Sequence, residues 1–253
     1  MHWIVSLGAA LLLLGCAERQ AESSIPFLSS PDREVRLQAS LALIELGDAA
    51  VGPLVASLDT ARTSLAYIGA QILGRIGSSR AIPCLRELAQ RDNPFVRREA
   101  VAALGRIGHR PLVSTLADIL AGDEDTQVRA AAAKSLGNLR DTLAVAPLIA
   151  ALQDTAALVR QRSLASLQYL WSARVEHAAT RSLRDPDESV RFVAAQMLGI
   201  HRARESRLAL ITALTDTSIW VRSEAARALG ELGDTAAIRG SREAAQAARW
   251  RGQ

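Results

Sequence analysis

Residues 92–122 read DNPFVRREAVAALGRIGHRPLVSTLADILAG, and this stretch decides the fold. Asp92-Asn93-Pro94 is a helix start, a capping side chain followed by proline early in the first turn. Val96, Ala100, Val101, Leu104 and Ile107 then recur at helical spacing and form one apolar stripe. Gly105 lies beside that stripe, where a missing side chain lets a partner helix approach. Gly108 stands just past the end, where a left-handed residue closes a helix. A second helix opens near Pro111 and places Leu112, Leu116, Ile119 and Leu120 on one side. Two short helices joined by tight turns make an α-hairpin.

The same pattern returns along the chain. Val-Arg stands at Val35-Arg36, Val96-Arg97, Val128-Arg129, Val159-Arg160, Val190-Arg191 and Val221-Arg222. Asp92, Asp123, Asp154, Asp185 and Asp216 follow one another at intervals of 31 residues. A fixed period of this size means stacked supersecondary units, each burying its apolar face against the next. Seven units begin near Asp32, Arg62, Asp92, Asp123, Asp154, Asp185 and Asp216. The expected architecture is therefore all-α, an α-solenoid of about seven hairpins over residues 31–253. The beat falters in three places. Leu65-Ala66 replaces Val-Arg in unit two, Gln168 and Trp171 replace both glycines in unit five, and the last helix, Ala236 to Arg251, is rich in Ala, Arg, Gln and Glu like a cap.

The series Asp123/Val128/Arg129/Leu136/Gly137 and its counterparts resembles HEAT repeats, in particular the short bacterial units named after phycobilisome lyases. The resemblance covers about residues 31–250 and implies a right-handed superhelix with second helices on the concave face. It also implies that Asp and Arg six residues apart form a ladder through the stack. Asp123/Arg129, Asp154/Arg160, Asp185/Arg191 and Asp216/Arg222 have that spacing, and Asp92/Arg97 is one residue short. A buried guanidinium needs hydrogen-bonded carboxylates, and its planar fork can serve two neighbours. On the second helices, Arg86, Arg91, Asp118, Gln153, Arg181 and Arg184 are candidate contact positions.

Composition fits this reading. Hydrophobic residues make up 49% of the chain but aromatics only 4%, so small aliphatic side chains must fill the core between closely spaced helices. The net charge of +4 invites a nucleic-acid reading. Its distribution argues against one: Lys134 is the sole lysine, the arginines are matched by the aspartate column, and no basic stripe is interleaved with aromatics.

The N-terminus reads as an address. Trp3 to Gly15 is an apolar run too short to span a bilayer but long enough for an export signal. Leu13-Leu14-Gly15-Cys16 resembles a bacterial lipobox, which implies cleavage after Gly15 and lipid on Cys16. Met1-His2 lacks the expected positive charge. Residues 1–15 are thus read as signal peptide and 16–30 as a lipidated tether, with Ala17 implying outer-membrane sorting in a Gram-negative cell. Cys84 is read as a small buried hydrophobe.

No catalytic or metal constellation stands out. His109, His177 and His201 occupy unequal repeat positions, and Glu176-His177 is a lone reversed version of the His-Glu pairs of the HEAT-like deoxyhypusine hydroxylases. Phe95 and Trp220 share one register, while Tyr169 and Trp171 sit at the unit-five break. These four are candidate partner anchors, because aromatics dominate binding hot spots. The sequence therefore predicts a non-enzymatic, lipid-anchored scaffold at the cell envelope, with an unknown protein partner, no cofactor and no nucleic acid. The alternative is an enzyme of the HEAT-like lyase or hydroxylase type that uses the solenoid as a cradle.

Overall fold

A computed structural model describes residues 15–58 and 63–234. Among these residues there are helices and turns but no strand. Residues 15–24 form α1. Seven first helices follow: α2 (Arg33–Leu46), α4 (Thr63–Ile76), α6 (Pro94–Ile107), α8 (Thr126–Leu139), α10 (Ala157–Leu167), α12 (Glu188–Ile200) and α14 (Ile219–Glu231). Six second helices alternate with them: α3 (Asp48–Leu58), α5 (Ile82–Leu88), α7 (Val113–Gly122), α9 (Val145–Ala150), α11 (Ala173–Ser182) and α13 (Arg207–Ala213). The expected cap over Ala236 to Arg251, the unit-two start at Arg62 and most of the signal segment lie outside the described residues.

Each first helix packs on the first helix of the next unit, α4 on α6, α6 on α8 and onward to α14. Second helices seat against the first helix that follows, α5 on α6 and α7 on α8. The result is one continuous core and a solenoid in which a unit touches only its neighbours. Val96, Ala100, Val101 and Leu104 are all buried in it, as the stripe required.

Helix starts follow the side chains. Asn93 accepts the N–H of Phe95 at 2.9 Å, with Pro94 in the first turn. Asp125 and Asp187 cap α8 and α12 in the same way. Helix ends use the left-handed region: Gly108 closes α6 at φ +73°. Where the repeat lacks that glycine, Arg140 and Arg202 adopt φ +49° and +50°. Those conformations cost a non-glycine residue about 1 kcal/mol. Arg202→Gly should therefore raise stability by about 0.5–1 kcal/mol, read as a rise in denaturation midpoint. A drop would mean that the arginine side chain is held by contacts that outweigh the strain.

The repeat's inner glycine solves a different problem. A Cβ on Gly105 would lie 2.3 Å from Ser135 Oγ, on Gly74 2.7 Å from Ala103 Cβ, and on Gly137 2.7 Å from Ser166 Cβ. Glycine on one first helix thus faces a small residue on the next, and the helices pack in close contact along this column. At unit five the column changes on both sides. Gln168 stands for glycine, and Met197 stands where the small partner would be.

Residues 16–30 do not hang free as the polar composition suggested. Ala21 and Leu28 are fully buried, Ile25 packs on the core, and the short turn Ile25–Ser29 sits on α2. The physical reason is that Ala21, Ile25 and Leu28 fall at helical spacing, so even this polar stretch carries an apolar stripe.

Candidate functional site

The aspartate and arginine columns meet across units, not within them. Arg129 Nε and Nη2 fork onto the carboxylate of Asp154 in the next unit, at 2.8 and 3.0 Å. Its Nη1 meanwhile donates to the main-chain carbonyls of Asp123 and Glu124 in its own unit. Arg97 holds Asp123, Arg160 holds Asp185 and Arg191 holds Asp216 in the same bidentate way. For Arg129, Arg160 and Arg191 the aspartate six residues earlier contributes its carbonyl, and its carboxylate goes to the preceding unit's arginine; Arg97 holds the carbonyls of Arg91 and Asp92 instead. That carboxylate also accepts the N–H two residues on, as Asp154 does from Ala156 at 2.8 Å. One aspartate therefore shapes the turn that leads into the next first helix and receives the arginine at the same time.

The rungs are well buried, with side-chain exposure of 9–13%. The Asp123 hydrogen bonds raise the Arg97 guanidinium further above its already high range, against the effect of burial. Burial pushes Asp154 up, but Arg129 and the Ala156 N–H outweigh it and hold the carboxyl below the usual range. Hydrogen bonds from Arg191, opposed by burial, do the same for Asp216. The ladder stops where the sequence stops it: Ala66 fills the arginine place in unit two, and Asp92, the carboxylate it would have gripped, is exposed. Arg222 and Arg36 hold their own units' carbonyls, Asp216 and Thr217 for one and Ser30 and Pro31 for the other.

The unit-five break is filled from within. Trp171 occupies the helix-end place taken elsewhere by a residue at positive φ, but adopts φ −57°. Helix α10 ends early in the turn Gln168–Leu170. Trp171 then stacks on His201 of the next unit at 4.0 Å between ring centroids, and His201 Nε2 donates to the Gln168 carbonyl at 3.0 Å. Burial pulls the His201 imidazole below its usual range, against that hydrogen bond. An NMR titration of His201 should therefore show a midpoint below 6.5. The unfolded imidazole protonates first as pH falls, so this group removes stability through the window below 6.5. A midpoint at or above 6.5 would contradict the buried, neutral ring.

The remaining aromatics face outward. Phe95 is 61% exposed with Arg98 over its ring, and Trp220 is 68% exposed beside Phe192 and Glu188. Tyr169 is 57% exposed under Arg140. Phe95, Tyr67 and Ile68 edge an open apolar groove, and Trp220 and Phe192 edge a smaller one at the same register. Trp171 is the exception among the four, since its ring is committed to His201.

The second-helix face is polar. Ile149 and Gln153 of unit four, Asp154, Arg181 and Ser182 of unit five, and Asp185 at the start of unit six line a cleft of about 340 Å3. A second cleft of about 350 Å3 follows between α11 and α13, and Arg184 lines both. Cys84 is buried and Cys16 exposed. No three His, Cys, Asp or Glu side chains are grouped to hold a metal ion among the described residues.

A family model described as HEAT repeats matches residues 21–102, 51–121, 92–168 and 175–250. The chain is a HEAT-repeat protein. Among curated proteins, this HEAT chain is 38% identical over 96 residues to the phycocyanobilin lyase subunit beta of Thermosynechococcus vestitus, covering 36% of this chain and 45% of that one. The chain thus spans less than half the length of this relative. In fold it is similar to the Escherichia coli protein YibA, with a TM-score of 0.66, 21% identity and coverage of 88% and 86%. It also matches the complex of CpcE and CpcF of phycocyanin lyase from Nostoc, at a TM-score of 0.49, 22% identity and coverage of 84% and 86%. The family match covers most of the chain and shows HEAT repeats, and over its 96 matched residues the chain resembles a phycobilin lyase subunit. These matches also correct one expectation. The absence of a legible catalytic constellation suggested a chain that is no enzyme, yet the curated relative is a lyase subunit. The Asp…Val-Arg…Leu-Gly signature specifies packing, so its dominance in the sequence says nothing against chemistry on a face of the stack.

Proposed function

We propose that this chain is a HEAT subunit that docks a second protein on its second-helix face and is held at the cell envelope by lipid on Cys16. One observation carries the docking half. Arg97, Arg129, Arg160 and Arg191 and the aspartates they grip are consumed by the ladder, whereas Gln153, Arg181 and Arg184 stand exposed on or just beyond the ends of the second helices with no side-chain partner among the described residues. The curated relative named as a lyase subunit supports a subunit role. A photo-crosslinker at exposed Ala150, the last residue of α9, should capture one protein in stoichiometric yield from native membranes, while the same probe at exposed Lys134 on α8 captures none. Equal capture at the two positions would contradict a docking face.

The anchoring half rests on the Leu13-Leu14-Gly15-Cys16 pattern and on an exposed Cys16 thiol. By the same resemblance, Ala17 directs the lipoprotein to an outer membrane. No helix among the described residues is long and apolar enough to cross a bilayer, and several acyl chains would supply stable attachment instead. Cys16→Ala should move the protein from the membrane to the soluble fraction. Retention at the membrane would remove the lipid from the account.

A second reading follows from the 38% identity to a lyase subunit: the chain serves as one half of an assembly that handles a linear tetrapyrrole. It predicts a shift in phycocyanobilin absorbance on mixing with the captured complex, and an unchanged spectrum would dismiss it.

A further inference from the structure

The clefts of the second-helix face have a definite electrostatic character. Asp154 and Asp185 line the first, and Asp216 lines the second. All three carboxylates are already forked by Arg129, Arg160 and Arg191, and each also accepts a backbone N–H, so their charge is neutralised inside the wall. Arg181 and Arg184 carry no such partner among the described residues. Arg181 lies in the last turn of α11 and Arg184 in the turn just beyond its end, and both line the first cleft. Gln153 offers an amide donor across the first cleft. The lining is thus an unopposed pair of guanidinium groups plus one neutral donor, a surface that fits carboxylates.

The same register changes sign along the stack. Two residues beyond the buried Leu85, Leu116, Leu148 and Ala179 come Glu87, Asp118, Ala150 and Arg181, all exposed. The end positions of this register, Ala56 on α3 and Thr212 on α13, are exposed and neutral, so the sign changes within the stack from acidic at α5 and α7 to basic at α11. A nucleic acid needs a long basic stripe, and two arginines flanked by neutral positions do not make one.

From this charge pattern we propose that the clefts on either side of α11 bind an acidic, extended segment of the partner protein. Arg181 and Gln153 engage one carboxylate, and Arg184 engages the next. An extended strand advances about 3.3 Å per residue and packed helices stand about 8–10 Å apart, so acidic side chains three residues apart reach successive clefts. The inference rests on the docking reading of this face and adds the chemistry of what docks there.

The test uses the full chain purified in detergent and three fluorescein-labelled probes: the heptapeptide Glu-Ala-Ala-Glu-Ala-Ala-Glu, its glutamine twin and a thymidylate dodecamer. The glutamate peptide should bind about tenfold more tightly than the glutamine twin, with an affinity that falls as salt rises. The double variant Arg181→Gln/Arg184→Gln should reduce it about tenfold, to the level of the twin, with an unchanged melting curve. Arg204→Gln, in the exposed turn before α13, should leave it unchanged. Equal binding of the two peptides, undiminished binding by the double variant, or preference for the dodecamer would each overturn the proposal. The two failures are separable. Capture of a protein at Ala150 that survives the double substitution removes the acidic segment and leaves the docking face; peptide binding without any capture removes the docking reading and leaves the anion-binding cleft.

Discussion

Arg160→Ala should lower the stability of the fold by about 3–5 kcal/mol, whereas Arg204→Ala should change it by less than about 0.5 kcal/mol. Both remove one arginine, so net charge cannot explain the difference. Arg160 is about nine-tenths buried, forks onto Asp185 at 2.8 Å and satisfies the carbonyls of Asp154 and Thr155 with its third nitrogen. Its removal strands a carboxylate with 9% side-chain exposure and frees two carbonyls that shape a turn. Arg204 is exposed in a short turn and has no side-chain partner among the described residues. Urea denaturation of the two variants checks this, and equal midpoints would mean that the rungs contribute nothing beyond an ordinary surface pair.

Gly105→Ala is the second large effect. The added Cβ would fall 2.3 Å from Ser135 Oγ, 2.5 Å from its Cβ and 2.8 Å from its Cα, and the last of these is backbone that a rotamer change cannot move. Helices α6 and α8 must separate, at a cost of about 1–3 kcal/mol. Ser135→Gly removes the side chain in the way, though it also gives up the hydrogen bond from Ser135 Oγ to the Val101 carbonyl. The double variant should therefore be more stable than the sum of the single losses implies. A Gly105→Ala protein with the wild-type midpoint would show that the interface has slack.

How much of this was legible in the sequence depended on range. The stripe at Val96, Ala100, Val101 and Leu104, the Asn93 cap and the left-handed Gly108 are local, and a periodic reading finds them. The pairing of the two charged columns is not local. An arginine lies six residues after one aspartate and 25 before the next, and spacing alone leaves open which carboxylate it grips. The exposed Asp92 that follows the arginine-free unit is the signal that distinguishes them, and it needs the structure to be seen. Residues 16–30 were misread because polar composition hid three apolar positions at helical spacing. The His201 stack on Trp171 was missed because the two residues belong to different units and neither follows the repeat pattern.

The face proposed for docking was legible in position and not in character. Arg181 and Arg184 are two among many arginines in the sequence. What sets them apart is that they line clefts whose carboxylates are already gripped in rungs. Four arginines, Arg97, Arg129, Arg160 and Arg191, form the rungs that hold units together.

The central claim is that each arginine couples its unit to the next one. A pair of double-mutant cycles tests it most directly: Arg129→Ala with Asp154→Ala, and Arg129→Ala with Asp123→Ala, each measured by urea denaturation. The geometry predicts a coupling energy of about 2–3 kcal/mol for Arg129 with Asp154 and less than about 0.5 kcal/mol for Arg129 with Asp123. Strong coupling to Asp123 and none to Asp154 would contradict the account and return the ladder to pairs within single units.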